Sequence, residues 1–512
     1  MAKEIELKLT VAPGHIREIE QLPILNALAI AAPNKQKLYS VYYDTPDLLL
    51  RKQYCSLRIR RIGKKWIQTI KSGGKIAAGL HQHNESEIVI KKAQPDFNHL
   101  QQTGVISPTQ QLTVVATLKP IFITQFTRYT RILQTKDGSI IEFCLDHGKI
   151  TSDHLTDSIH EIELELKSGN PARLFELAWE IAQLTDFPIR LENANKAERG
   201  YKLFTGTTTP PNKATSIEIS PKTSLISSFG KVLSSCLIQI TKNENGVLSG
   251  KDSEYLHQMR VGIRRLRSAF TIFKPLFPTR QPSITYFEHE LKWLMRELNP
   301  ARNWYVFAYE ILPLIIANHS DSESIVTIQK LSQKQLSKYT QHIQTHLQSK
   351  RYLEFILKLN LWIEDLHHGN GTELKSKLSI ESFSRSYLFN QHSALTQFKE
   401  KLKPDALHIL RIRIKKQRYA TEFFYSLYSK QALFEQYVHL LSALQSALGS
   451  INDYSMIDTL LESTLSPHKQ KKLAQTIGII QGWSAHGILQ SKVELKNLWK
   501  NFCDSSPFTG DE

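Results

Sequence analysis

At 512 residues the chain exceeds what one hydrophobic core usually organises, so at least two domains are expected. Its hydrophobic fraction of 41% suits globular cores, and its net charge of +17 is uneven: residues 1–205 hold 27 Lys+Arg against 22 Asp+Glu, and the remainder 38 against 26. Four scattered cysteines make no disulfide framework, no apolar run marks a secretory signal or a membrane span, and a cytoplasmic location is the expectation. The surplus of cations in the second part points to a polyanionic partner there. The chain opens on Glu4-Ile5-Glu6-Leu7-Lys8-Leu9, which as a strand turns Glu4, Glu6 and Lys8 to one face. Paired carboxylates beside an ammonium suit a hard divalent cation with an anion next to it, although an isolated E-x-E-x-K also fits a charged outer face. A second copy, Glu161-Ile162-Glu163-Leu164-Glu165-Leu166-Lys167, tips the reading towards a site, with the two strands able to face each other across a closed sheet.

Between these copies short alternating runs separated by Gly, Pro, Asn and Asp predict about eight strands: residues 3–11, 37–45, 54–62, 65–72, 81–91, 122–133, 139–146 and 159–167. Helical patterns occupy residues 14–30, 171–185 and 192–204. An even number of antiparallel strands with so many like-facing charges predicts a barrel or tunnel covered outside by helices. Arg58 and Arg60 share a face, as do Thr69 and Lys71, Glu85 and Glu87, and Glu142 and Asp146, and Arg128 ends a further run. Guanidinium forks and ammonium groups grip phosphates, and interleaved carboxylates anchor metals that bridge phosphate oxygens. No Ser-His-Asp or Cys-His nucleophile and no P-loop accompanies them.

Seven motifs in this order resemble the CYTH, or triphosphate tunnel metalloenzyme, family: Glu4–Lys8, Tyr42-Tyr43-Asp44-Thr45, Leu57–Arg60, Thr69-Ile70-Lys71, Leu145-Asp146-His147-Gly148, Glu161–Glu165 and Lys196-Ala197-Glu198-Arg199-Gly200-Tyr201. The likeness covers residues 1–205 and is strongest to its bacterial inorganic triphosphatase branch. It implies an eight-stranded antiparallel tunnel that hydrolyses inorganic triphosphate with Mg²⁺ or Mn²⁺. It further implies Glu4, Glu6, Glu163 and Glu165 as metal ligands, with Glu161 assisting, and Lys8, Arg58, Arg60, Lys71, Arg128 and Lys196 as the phosphate-binding set. Glu4, Glu6, Lys8 and Lys71 would be the catalytic core, while Arg199 fits either a phosphate contact or a structural partner of the closing helix. One departure is His83, where the family tends to place an arginine.

Residues 206–217, with Pro210 and Pro211, read as a linker, and everything beyond is helical in period. Within it His257, Arg260, Arg264 and Arg267 recur at the same spacing as His408, Arg411, Lys415 and Arg418, each set a single basic stripe on a helix. Downstream, Leu298–Asn303 corresponds to Leu448–Asp453. The duplication predicts two pseudo-symmetric helical bundles that share a basic cleft over residues 218–506. The pattern resembles the CHAD family, which implies binding of inorganic polyphosphate; Arg302-Asn303 departs from the Arg-Asp usual there. His257 and His408 fit equally as buried structural residues. Three function classes follow: a tripolyphosphatase tethered to polyphosphate, the same tunnel acting on thiamine triphosphate or as an adenylate cyclase, and a non-catalytic polyphosphate binder. Trp66 is a candidate stacking group for an organic moiety, or a packing residue. Nucleic acid is disfavoured by the lack of an aromatic platform among the basic helices.

Overall fold

Alternation of apolar and polar side chains lays down the strands expected in the N-terminal region of a computed structural model, which describes residues 2–77, 79–277, 282–317, 323–368, 378–398 and 404–508. They are β1 (Ala2–Val11), β2 (Asn34–Asp44), β3 (Cys55–Ile62), β4 (Lys65–Ala77), β5 (Leu80–Ile90), β6 (Lys119–Gln134), β7 (Ile140–Ser152) and β8 (Leu155–Ser168). Every ladder is antiparallel, the order is β5-β4-β3-β2-β6-β7-β8-β1, and a ladder from β1 to β5 closes the eight strands into a barrel. Closure leaves no unpaired edge, so the charged faces can turn inward. A short ninth strand, β9 (Ile189–Leu191), extends the sheet along the end of β1. Gly63 and Asp153, both at positive φ, form the tight turns that join β3 to β4 and β7 to β8.

Helices cover the outside. The segment expected as one helix over 14–30 is instead α1 (Ile16–Glu20) and α2 (Pro23–Ala27), because Pro23 cannot continue the first helix and starts the second. Three short helices absent from the expectations, α3 (Leu49–Lys52), α4 (Phe97–Gln102) and α5 (Pro108–Thr117), lie in the longer connections. Leu50, Leu100, Ile106 and Val114 from this region bury against Leu57 and Ile70. Helix α6 (Ala172–Gln183) buries Leu174, Phe175, Leu177, Ala178 and Ile181 beside β1 and β8. Helix α7 (Lys196–Thr205) closes one end of the barrel, where Tyr201 joins Leu38, Tyr42, Phe122, Phe126, Ile150 and Ile159 in an apolar plug. Burying each such side chain contributes about 1.5–3 kcal/mol.

The described residues form two compact units, Met1–Pro210 with Leu347–Asp365, and Pro211–His346 with Leu366–Glu512. Gly206, at φ +64, ends α7 in the left-handed region. The expected linker is tied down over its second half: the Asn212 N–H donates to Asn243 Oδ1 at 2.9 Å, the Asn243 amide donates back to Asn212 O at 2.9 Å, and Ile217 is buried. The rest is helical, as α8 (Leu225–Thr241), α9 (Glu244–Ser249), α10 (Ser253–Phe273), α11 (Pro282–Tyr305), α12 (Leu312–Ile316), α13 (Glu323–Leu347), α14 (Lys350–His368), α15 (Ile380–Thr396), α16 (Pro404–Phe423), α17 (Tyr425–Tyr428), α18 (Ala432–Thr464), α19 (Pro467–Lys472) and α20 (Ala474–Cys503). A π-helical turn, Val306–Ile311, follows α11. Among the described residues no helix is long and apolar enough to cross a membrane.

Candidate functional site: a charged tunnel and a basic helical cleft

The period-2 alternation of β1 puts Glu4, Glu6 and Lys8 on the inner wall of the barrel. The two acidic strands do not face each other across the lumen, as expected, but lie side by side, with Glu6 opposite Glu165 and Lys8 opposite Glu163 in one antiparallel ladder. Barrel closure is the cause: the first strand must pair with the last long one. Adjacent carboxylates repel unless cations intervene, and here they do. Lys8 donates to Glu6 at 2.8 Å and to Glu163. Lys196, at the start of α7, reaches Asp146 at 2.7 Å, Glu163 at 2.9 Å and Glu161 at 3.2 Å. Arg128 forks onto Asp146 at 2.7 and 2.6 Å and also meets Glu163. On the other side Lys71 meets Glu4 at 2.5 Å and Glu85 at 3.4 Å, while Arg58 donates to Thr69 Oγ1 at 3.1 Å and lies 3.4 Å from Glu87. Glu165 pairs with Lys167 at 2.6 Å.

Apart from Asp146 and Glu161 these side chains line a cavity of about 540 Å³, whose wall, with Glu142, Glu198, Arg51 and Arg60, carries eight carboxylates and eight Lys or Arg side chains. Burial would raise the Glu6 carboxyl, but Lys8 outweighs it and holds the group well below the usual carboxylate range. Burial likewise opposes, and Lys196, Lys8 and Arg128 overcome it, at Glu163, also far below the usual range. Lys8 is shifted the opposite way: Glu163 and Glu6 outweigh its burial and hold it firmly charged. Burial raises Glu165 and Glu85, whose counter-ions compensate less. Arg60 differs from the other cations. It has no carboxylate within ion-pair distance among the described residues, meets only Ser40 Oγ at 3.1 Å and the Phe126 ring at 5.9 Å, and is pushed down by burial, Arg58 and Arg128. An anion would satisfy it. His83 fills its place in the wall, 3.5 Å from Glu6 Oε1, and the neighbouring His81 donates from Nε2 to Glu192 O at 2.9 Å and is kept neutral down to about pH 3 by burial and Lys8.

In the helical unit α10 packs on α16, and Arg264 comes close enough to Arg260, Arg411 and Lys415 to depress all three. Burial and then Arg264 and Arg302 push Arg260 down, and Asp453 of α18 is the acid that opposes them. Burial followed by Arg411, Arg264 and Arg260 lowers Lys415 to about 6. His257, lowered to about 4 by burial and Arg302, is neutral at pH 7. The buried Nε atoms of Arg260, Arg264 and Arg411 make no hydrogen bond within the protein. Arg267 and His408 are exposed, and Arg418 is engaged with Gln445 at 2.7 Å and with Glu422.

Comparison with known proteins finds two domain families along the chain. The sequence matches the CYTH domain over residues 2–201 and the CHAD domain over residues 231–462. The chain is a CYTH domain followed by a CHAD domain. Over 204 residues, 40% of this chain, it is 38% identical to a Haemophilus influenzae protein named inorganic triphosphatase. The chain spans about half, 55%, of that relative's length. The structure is also similar to the CHAD domain of the plant Ricinus communis, at 28% identity and a TM-score of 0.50, covering 58% of this chain and 97% of that one.

Several residues that matter in the CYTH domain escaped the sequence reading of sites. Asp146, fully buried, takes both Arg128 and Lys196; its signals were a shared face with Glu142 and its place in the motif Leu145-Asp146-His147-Gly148. Asp44 is structural: its carboxylate accepts from the N–H groups of Thr45, Leu50 and Arg51 at 2.7–3.0 Å and from the Tyr201 hydroxyl at 2.8 Å. Arg199, left open between two roles, holds Asp157 at 2.8 Å and the Ser158 carbonyl, under α7. Trp66 lies beneath Arg61, 5.7 Å from its guanidinium. In the CHAD domain Arg302 and Asn299 join the cleft, Asn299 accepting from Arg260 at 2.7 Å. The Asn303 departure does not leave Arg302 alone, since it pairs with Glu310 of the π-helical turn at 2.9 Å.

Proposed function

We propose that the CYTH domain hydrolyses inorganic triphosphate to diphosphate and phosphate in the tunnel with Mg²⁺ or Mn²⁺, and that the CHAD domain binds inorganic polyphosphate in the basic cleft. One observation carries the reading: Glu4, Glu6, Glu163 and Glu165 share one cavity with Lys8, Arg58, Arg60, Lys71, Arg128 and Lys196, in equal numbers of acids and bases overall. A polyanion entering a charge-balanced lumen brings negative charge that the wall cannot neutralise without accompanying divalent cations. The donor set fits them: the carboxylates are hard oxygen ligands, and Glu161, ion-paired with Lys196 at 3.2 Å and Arg199 at 3.6 Å, has both oxygens buried without a hydrogen bond. Glu4, Glu6, Glu163 and Glu165 would hold the ions, which when bound neutralise phosphate oxygens and acidify a water. The name of the Haemophilus relative supports the substrate.

The protein's own part is grip and alignment. Arg60, without a carboxylate, and Arg58 and Lys71 from the facing wall bind the equatorial phosphate oxygens. Lys8 and Lys196, fully charged, stabilise negative charge that grows on the bridging oxygen as its bond to phosphorus breaks and water oxygen takes its place. Glu163, ionised and flanked by Lys8, Lys196 and Arg128, keeps those cations in register. The plug beneath α7 closes one end, so the chain of phosphates enters from the other. Phosphate release from tripolyphosphate, ATP and thiamine triphosphate, each with Mg²⁺, Mn²⁺ or chelator, tests the proposal. Tripolyphosphate turnover should exceed the others and vanish in chelator. Glu4→Gln and Glu163→Gln should each lower it on the order of a hundredfold with the fold intact. Equal rates in chelator, or full activity in both variants, would end this reading.

A further inference from the structure

Away from the tunnel and the basic cleft, two imidazoles and a carboxylate converge on the surface of the helical unit. His342 and His346 are one turn apart on α13, so their rings leave the same face of the helix. Glu297 of α11 stands opposite: its Oε2 is 2.8 Å from His342 Nε2 and 3.5 Å from His346 Nε2, and the two Nε2 atoms are 3.0 Å apart. Hydrogen bonding accounts poorly for this triangle. A His342 Nε2 that donates to the carboxylate has no lone pair left for His346, so one proton cannot serve both short contacts. A single divalent cation serves all three, because each atom then offers a lone pair inward.

The surroundings are those of a ligand set rather than of a chance surface cluster. Arg296 donates to the other oxygen of Glu297 at 2.9 and 3.1 Å, which turns Oε2 towards the rings. Trp293, one turn earlier on α11, sets its ring edge-on to His346 at 5.7 Å. The carboxylate is sunk while His342 is half exposed, so an ion can enter from solvent. We propose that Glu297, His342 and His346 form a three-ligand site for a zinc-class divalent ion. Two nitrogen donors and one oxygen favour Zn²⁺, Co²⁺ or Ni²⁺ over Mg²⁺, which demands oxygen ligands, so this site and the tunnel would draw on different metals.

The test uses the full chain with Mg²⁺ in excess to occupy the tunnel, titrated with Zn²⁺ and separately with Co²⁺. Wild type should bind Zn²⁺ at a site that His342→Ala/His346→Ala removes and Glu297→Gln weakens at least about tenfold. Co²⁺ should give a visible absorption band of nitrogen-ligated cobalt in wild type that the double variant lacks, while Mg²⁺-dependent phosphate release is unchanged. Zn²⁺ binding of equal stoichiometry and affinity in wild type and the double variant, or a Co²⁺ spectrum the variant retains, would overturn the assignment. Should Glu297→Gln fail to fold, the His342→Ala single variant at its half-exposed position gives the same comparison.

Discussion

Asp44 and Lys415 show how differently a single buried charge can be used. Asp44 spends its carboxylate on three backbone N–H groups and the Tyr201 hydroxyl, joining the start of α3 to the helix that closes the tunnel. Asp44→Ala leaves those donors unmet and is expected to lower stability by roughly 2–4 kcal/mol, read as a shift of the urea midpoint. Lys415 has no such anchor, and burial among Arg411, Arg264 and Arg260 brings it to about 6. Between that value and the ordinary 10.5 the unfolded chain holds a proton that the folded chain lacks, so this group makes stability rise with pH across the window. On the proposed reading, a bound polyphosphate would restore the charge. Binding near pH 8 should therefore take up a proton, and affinity should fall as pH rises above 6. Calorimetry in two buffers of different ionisation enthalpy measures that uptake, which Lys415→Met should abolish.

At the level of elements, the register of β1 governs the site. A slip of one residue against β8 would turn Glu4, Glu6 and Lys8 outward and bring Ile5 and Leu7 into the lumen. Leu7, Leu9, Ile162 and Leu164, all fully buried on the outer face, make that slip costly. Helix α7 is set as tightly. A Cβ at Gly200 would lie 2.2 Å from the Phe122 ring, which is stacked on Tyr42. Gly200→Ala should lift α7 away from the plug and cost roughly 1–3 kcal/mol. Because Lys196 rides on the same helix, tripolyphosphate turnover should fall even where the variant remains folded. A variant with wild-type stability and turnover would show that α7 does not depend on this close approach.

For the whole molecule, charge separates the two proposed tasks. The tunnel balances its charges internally, whereas the CHAD cleft gathers Arg260, Arg264, Arg411 and Lys415 around Asp453. Each cation that neutralises a phosphate releases counterions, so polyphosphate affinity should fall with a log–log salt slope of about −3 for four contacts. Arg264→Ala with Arg411→Ala should reduce that slope by about one to two units and leave tripolyphosphate hydrolysis in place. A slope near zero in wild type would remove the cleft as the binding site.

Much of this was legible in one dimension because it rests on period. Alternation in Glu4–Leu9 and Glu161–Lys167 announced strands with a charged face, and spacings of three and four in His257–Arg267 and His408–Arg418 announced two basic helices. Which side chains meet was not legible, since pairing depends on closure and crossing. Only the barrel made the two acidic strands neighbours rather than opposites, sank Asp146 beneath Lys196 and Arg128, and left Arg60 without an acid. Only the helix packing turned Arg267 and His408 outward while crowding Arg260 against Arg302. Local sequence determines the face on which a charge is displayed, and distant residues determine its neighbours, because electrostatic partners are set by separation in space.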